Sequence, residues 1–367
     1  MLGCLQDWLI SFQNSSKMKY LIHLGHPAHY HLFKHVVNRL RDSGNSCIYV
    51  IKKKDILENL LIESAEEFLN ILPRGRKNSL FGIFLGQIKQ IWALFKLCVK
   101  DRPNVLMGST PTVSQVGFLL KIPSLSLNED DAKEVELFAK TTYPFSTVIL
   151  SPRPCDNGRW NKKTVHYESY HELAYLHPDH FTPSLKALEG IVSQNERFFI
   201  IRFSSLDAYH DHGVKGMDLH LTLKLIDLLK PHGRVIISSE KKLPLKLESY
   251  RASFNPTKMH DLLYYSSIYI GDSQTMAAEA GVLGTPFIRI NDFVGKLGYL
   301  KELEEVYKLG FGFRPARAGE SLEIIDKWLK QNNLELEWKE KRKKMLSEKL
   351  NFSDYLYEFI SKEEYRK

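Results

Sequence analysis

Between residues 266 and 290 the chain reads SSIYIGDSQTMAAEAGVLGTPFIRI, and this stretch constrains the fold more than any other. Ile268–Ile270 is β-branched and aromatic, as a buried strand requires, and Gly271-Asp272-Ser273 interrupts it. A helix follows: Asp272 or Ser273 can cap it, Met276-Ala277-Ala278-Glu279-Ala280 propagates it, and Gly284 with Thr285-Pro286 stops it. A second strand, Phe287–Ile290, comes at once. The start of that helix leaves free N–H groups and the positive end of the helix dipole at Ser273, Gln274 and Thr275, which suits a phosphate. Glu279 lies about 9 Å further along the axis, where a carboxylate meets the sugar hydroxyls of the same nucleotide. By itself the unit is equally a plain piece of α/β scaffold.

The same grammar opens the chain. MKYLIHL, residues 18–24, reads as a buried strand running into Gly25-His26-Pro27-Ala28-His29. Leu32, Phe33, Val36, Val37 and Leu40 then recur at helical spacing, Gly44 closes the helix, and Cys47–Ile51 is the next strand. This is the start of a parallel βαβ series, whose loops at the carboxyl ends of strands bind ligands. No GxGxxG fingerprint is present. His26 and His29, in the loop above the strand, are candidates for touching a substrate or shuttling a proton, with packing as the other reading. His31 and His35 share a helix face, but no carboxylate or cysteine lies near them in sequence, so no metal site is expected.

Residues 80–99 are apolar and aromatic with Lys89, Lys96 and Lys100 interspersed or adjoining; a helix packed on the sheet and a helix lying on a membrane surface both fit. Strands are predicted at Asn104–Met107, Ile122–Leu127 and Thr147–Leu150, the last closing the first half, with a helix from Pro111 to Leu120. Glu129, Asp130 and Asp131 follow the second of these strands. They read as a solvated loop by default, and also stand where a general base would be mounted. They do not form a DxD motif, and no divalent ion is inferred.

The stretch 165–190 has no clear period and reads as a crossing between halves. The pattern then restarts: strand Arg197–Phe203, a loop holding Ser204, Ser205, Asp207, His210, Asp211 and His212, helix Leu219–Leu229, strand Arg234–Ser238 and helix Met259–Tyr265. Leu322–Leu329 and Trp338–Phe359 are predicted helices that end the chain. Residues 1–17 are expected to be an extension outside the core, without the features of a signal peptide.

The formal net charge of +8 favours anionic ligands or acidic lipid surfaces, and no zinc-finger spacing, RNA-binding motif or basic stripe points to nucleic acid. The four scattered cysteines imply a reduced, cytoplasmic setting.

Two α/β halves with these loops resemble the GT-B superfamily. Within it, HPAHYHLFKHVVNRL, RFSSLDAYHDHG and GDSQTMAAEAGVLGTP resemble the domain of unknown function 354 family over about residues 18–320. Nearby relatives in that superfamily are the UDP-N-acetylglucosamine 2-epimerases and the peptidoglycan lipid-intermediate N-acetylglucosaminyltransferase. The resemblance implies two Rossmann-like domains facing across a cleft: 18–185 on the acceptor side, 186–330 binding a nucleotide-sugar, and a helical segment 331–367. It implies that Asp272, Ser273, Gln274 and Thr275 take the diphosphate, Glu279 the ribose, and Arg202, Ser204, Ser205 and His210 further nucleotide contacts. VLMGSTPTVSQVGFLLKIPSLSLNEDD also resembles an epimerase segment; Glu129 falls on its Glu, but Ser109 stands where the epimerase has a catalytic Asp. The expectation is therefore a UDP-sugar-dependent glycosyltransferase of surface polysaccharide or glycoconjugate synthesis, without cofactor or metal. Glu129, Asp130, Asp131, His29 or His26 would serve as catalytic groups toward a glycan or lipid-linked acceptor. It is placed in the cytoplasm, including the inner membrane face. A UDP-sugar 2-epimerase or hydrolase, and a non-catalytic nucleotide-sugar-binding protein, are the alternatives.

Overall fold

The computed structural model describes residues 17–52, 55–73, 80–193, 195–203, 217–239, 242–252 and 254–366. The loop carrying Ser204, Ser205 and His210 lies outside these, as do most of residues 1–17.

Two all-parallel sheets organise the chain. The first is built from β1 (Lys19–Leu24), α1 (Pro27–Asp42), β2 (Ser46–Lys52), α2 (Asp55–Glu63), β3 (Phe68–Leu72), α3 (Leu80–Asp101), β4 (Val105–Gly108), α4 (Pro111–Leu120), β5 (Ser124–Leu127), α5 (Glu136–Thr142), β6 (Val148–Pro152) and β7 (Thr164–Tyr167). Its strand order is β3-β2-β1-β4-β5-β6-β7. Leu21, Ile22 and Leu24 of β1, and all of β4 and β5, are buried, as expected of strands covered by helices on both faces. The α1 positions at helical spacing, Leu32, Phe33, Val36, Val37 and Leu40, all face the core.

The first sheet does not end at the strand around Thr147–Leu150. β7 pairs in parallel with β6, Leu150 opposite Val165 and Ser151 opposite His166. So the opening of the stretch read as a crossing belongs to the sheet. Its four residues are too few for a period to show.

The second sheet holds β8 (Phe198–Phe203), α6 (Leu219–Leu229), β9 (Arg234–Ser239), α7 (Met259–Tyr265), β10 (Ile268–Gly271), α8 (Gln274–Leu283), β11 (Phe287–Ile290) and β12 (Gly310–Phe313). Its order is β12-β11-β10-β8-β9. Ser273 caps α8 by accepting the Met276 N–H, and Gly284 stops it in the left-handed conformation at φ 83°.

α9 (Ser321–Leu329), α10 (Leu334–Glu348) and α11 (Phe352–Ser361) complete the chain. The single helix expected over Trp338–Phe359 is two. Leu350 leaves the helical path to exchange bonds with Glu168 and Ser169, and Asn351 caps the N–H groups of Ser353 and Asp354. α10 stays on the second sheet through Trp338 Nε1 to Leu309 O and Arg342 Nε to Val282 O. α11 returns to the first, where Tyr357 meets Ser43 and Asp354 pairs with Arg39.

Candidate functional site in the cleft between the sheets

The carboxyl ends of the two sheets face each other. Asp131, after β5, accepts the Gly298 N–H of the segment after β11 at 2.7 Å, and Glu134 meets Lys296 at 3.7 Å. In each sheet the strand order reverses at one place, between β1 and β4 and between β8 and β10. Parallel sheets bind ligands in the crevice outside these switch points.

At the first switch point β1 runs into Gly25 and His26. His26 Nδ1 accepts the Ala28 N–H at 3.2 Å and so caps α1; His29 Nδ1 accepts the Gly25 N–H at 3.1 Å. Gly108, at the end of β4, has φ 155°, and a Cβ there would lie 2.6 Å from the His23 carbonyl. Its neighbour Ser109 has a buried Oγ without a hydrogen-bond partner.

At the second switch point Arg202, at the end of β8, donates to Ser238 Oγ at 2.7 Å. Beyond β10 the turn at Asp272 is held from behind. Asn291 donates to the Asp272 carbonyl at 2.9 Å, Arg289 donates to Asn291 at 3.1 Å, and Glu304 meets Arg289 at 2.9 Å. This chain, buried at Asp272, Asn291 and Arg289, presents Ser273, Gln274 and Thr275 half-exposed at the head of α8. The Gln274 and Thr275 N–H groups have no acceptor within the helix.

Glu279 is turned inward from α8. Its Oε1 accepts from Tyr175 Oη at 2.8 Å and lies 3.1 Å from His260 Nε2. Tyr175 belongs to the segment leaving the first sheet, and His31 of α1 packs against both Tyr175 and His260 with ring centroids 5.3 Å away. Side chains from α1, the crossing segment and α7 thus close around this carboxylate, both contacts falling on one oxygen.

The acids after β5 have three different surroundings. Asp131 is occupied: it accepts from the Asp156 and Gly298 main-chain N–H groups at 2.9 and 2.7 Å. Asn128 bonds the Asp130 carbonyl at 2.6 Å. Glu129 points inward with Oε2 3.4 Å from His171 Nδ1. Burial pushes its carboxyl well above the usual range, and the charges of Glu172 and Asp130 add to this. Burial draws His171 down to about 3, so it is neutral and this contact is not an ion pair.

The crossing segment supplies what the sequence does not announce. Glu172 is 1 % exposed, and neither carboxyl oxygen has a hydrogen-bond partner. Burial pushes it up to about 8, with Glu279 and Asp130 contributing repulsion. Three carboxyls, Glu129, Glu172 and Glu279, thus come close enough to repel one another, and burial with this repulsion favours a proton on the Glu129 and Glu172 pair. HELAYLHP carries no recognised chemical spacing, so only the return of this segment between the sheets marks Glu172. Among the described residues no group of three or more His, Cys, Asp or Glu is placed to hold a metal ion.

No curated protein matches the chain. Among solved structures it is similar to a UDP-GlcNAc 2-epimerase from Neisseria meningitidis bound to UDP-GlcNAc, at 15 % identity and TM-score 0.66 over 94 % of this chain and 100 % of that one. A spinosyn rhamnosyltransferase complexed with spinosyn aglycone superposes at 12 % identity and TM-score 0.61, covering 95 % and 100 %. A glycosyltransferase from Streptomyces sp. SF2575 complexed with thymidine diphosphate does so at 11 % and 0.59, covering 94 % and 99 %. With its two facing parallel sheets and returning C-terminal helix the chain has the GT-B fold, as its motifs led one to expect. Residues 18–300 match the family described as "Protein of unknown function (DUF354)", and to that family this chain belongs.

Proposed function

We propose that this protein is a GT-B glycosyltransferase that uses a nucleotide-sugar, with UDP-sugars as the first choice of donor, in surface polysaccharide or glycoconjugate synthesis. One observation carries the reading: the N–H groups heading α8 lie at the switch point of the second sheet, whose carboxyl end faces the acids at the carboxyl end of the first. In this reading residues 18–185 hold a glycan or lipid-linked acceptor and residues 186–330 hold the donor. The diphosphate sits on Ser273, Gln274 and Thr275 beside Arg202, and the ribose meets the Oε2 side of Glu279. Negative charge growing on the leaving diphosphate is met by main-chain N–H groups and Arg202. Glu129 in its ionised form, whose proton affinity is raised by its surroundings, takes the acceptor proton, with Asp130 and His29 as the other candidates. Asp131 holds the junction between the sheets. The two solved relatives bound to UDP-GlcNAc and to thymidine diphosphate support a nucleoside diphosphate as the common ligand.

The test is thermal protection by a panel of UDP-, GDP- and CMP-sugars. At least one is expected to raise the melting temperature, and Glu279→Ala is expected to abolish the effect. Protection by none of them would overturn the reading.

A second reading, isomerisation or hydrolysis of the sugar nucleotide, is favoured by the pair Glu129 and Glu172. Two desolvated carboxyls in mutual repulsion, sharing a proton, suit removing a proton and returning it. Ser109 weighs against it, since a hydroxyl replaces the acid at the end of β4. Solvent deuterium appearing at the sugar C2 position would select this reading over transfer. Tight binding without turnover in a cell extract that supplies native acceptors would select a non-catalytic binder.

A further inference from the structure

Helix α3 packs on the first sheet by one face, where Leu94 and Cys98 join Leu21, Val50, Leu106 and Val113 in a buried cluster. An opposite face that met only water would be polar. Instead Leu85 is 39 % exposed, Ile88 46 %, Trp92 58 % and Val99 52 %. At helical pitch these four fall within about 60° of arc, a stripe along the outer side of the helix. Lys89, Lys96 and Lys100 are exposed along one edge of the stripe, with Lys96 Nζ 5.1 Å from the Trp92 ring. The one acid of the helix, Asp101, is its last residue. The adjoining α4 exposes Phe118 and Leu119, followed by Lys121.

We infer that this outer face of α3 docks on an anionic lipid surface. Apolar side chains flanked by lysines match the acyl boundary and the charged headgroups respectively, and an indole is suited to the level between them. A second copy of the chain is a poorer occupant. Two such faces would bring Lys89 and Lys96 toward their own counterparts with no acid on the stripe to meet them. The helix also starts beside the cleft: Gln87, in its first half, bonds Thr112 at the head of α4, just past the carboxyl end of β4. Docking through α3 therefore holds the mouth of the cleft near the headgroups, whatever reaction the cleft performs.

The full-length protein is sedimented with vesicles of phosphatidylcholine alone and of phosphatidylcholine mixed with phosphatidylglycerol. Binding is expected to the mixed vesicles, weakening with added salt. Trp92→Glu is expected to weaken it about tenfold, and the triple change Lys89→Glu, Lys96→Glu, Lys100→Glu about a hundredfold or more. All four positions are exposed, so the melting temperature should hold and report that both variants are folded. Absence of binding to either vesicle would overturn the inference. So would binding to both vesicles alike that survives the lysine changes, or a concentration-dependent dimer abolished by Trp92→Glu, which would assign the face to a second copy.

Discussion

Tyr175, on the segment that leaves the first sheet, donates its hydroxyl proton to Oε1 of Glu279, on helix α8 of the second, at 2.8 Å. A buried carboxylate and a buried phenol from opposite sides of the cleft are satisfied by each other, so the position of Glu279 depends on the two halves being closed. Tyr175→Phe removes the donor and keeps the ring. A bond to a carboxylate contributes about 1.5–3 kcal/mol, and urea denaturation should show a loss of that order. Unchanged stability would mean that the contact does not form in solution.

The phosphate reading has a test that spares the fold. Gln274 is the first helical residue after the Ser273 cap, and Ser273 has φ −77° and ψ 126°, a conformation that tolerates a following proline. Gln274→Pro therefore keeps the helix while deleting one N–H from the proposed diphosphate cradle. Titration calorimetry with the best nucleotide of the panel should show about tenfold to a hundredfold weaker binding at unchanged melting temperature. Equal affinity would move the phosphate elsewhere.

Glu172 predicts a pH dependence of known sign. Its folded value, about 8, lies above the ordinary carboxyl value of 4.5, so the folded chain binds this proton more tightly than the unfolded chain. The favourable neutral form is fully present below pH 4.5. Its contribution to stability is then lost as pH rises toward 8 and is constant above that. Glu172→Gln copies the neutral form at every pH. The stability of this variant relative to the parent should climb from pH 5 to pH 8 and then level off, as read by urea melts across the range. A flat difference would mean that Glu172 is not the group holding the proton.

The junction between the sheets is closely fitted at Gly298. A Cβ at this position would lie 2.0 Å from the Pro154 carbonyl oxygen, and the Gly298 N–H already bonds Asp131. Main chain cannot yield that far without moving one half, so Gly298→Ala should open the cleft. Small-angle scattering is expected to show a larger radius of gyration, together with a lower melting temperature. Asp131→Ala, which removes two accepted bonds but adds no bulk, should destabilise by about 1–3 kcal/mol with less expansion.

Much of the fold could be read from residues 266–290 and their counterparts, because strand burial, the Ser273 cap and the Gly284 stop act over a few neighbouring residues. For the same reason Leu219–Leu229 and Met259–Tyr265 could be bounded in the sequence as they are in the structure. Asp55–Glu63 and Phe68–Leu72 could not be placed from the sequence: both are short, and Phe68–Leu72 is an edge strand with no strong alternation of burial. The break at Lys349–Asn351 was equally hidden, because it is made by Glu168 and Ser169, far away in the chain.

The sequence by itself determined the repeated α/β elements, the head of the helix at Ser273 and the acids after Leu127, since each follows from local propensity and chemistry. Only the tertiary structure decided the surroundings of each of those acids. Asp131 became a latch, Glu129 became a half-buried group beside a neutral histidine, and Glu172 joined it from a segment without any motif. The physical reason is that desolvation and charge repulsion depend on neighbours brought together by the order of the strands, and that order is not encoded in any single stretch.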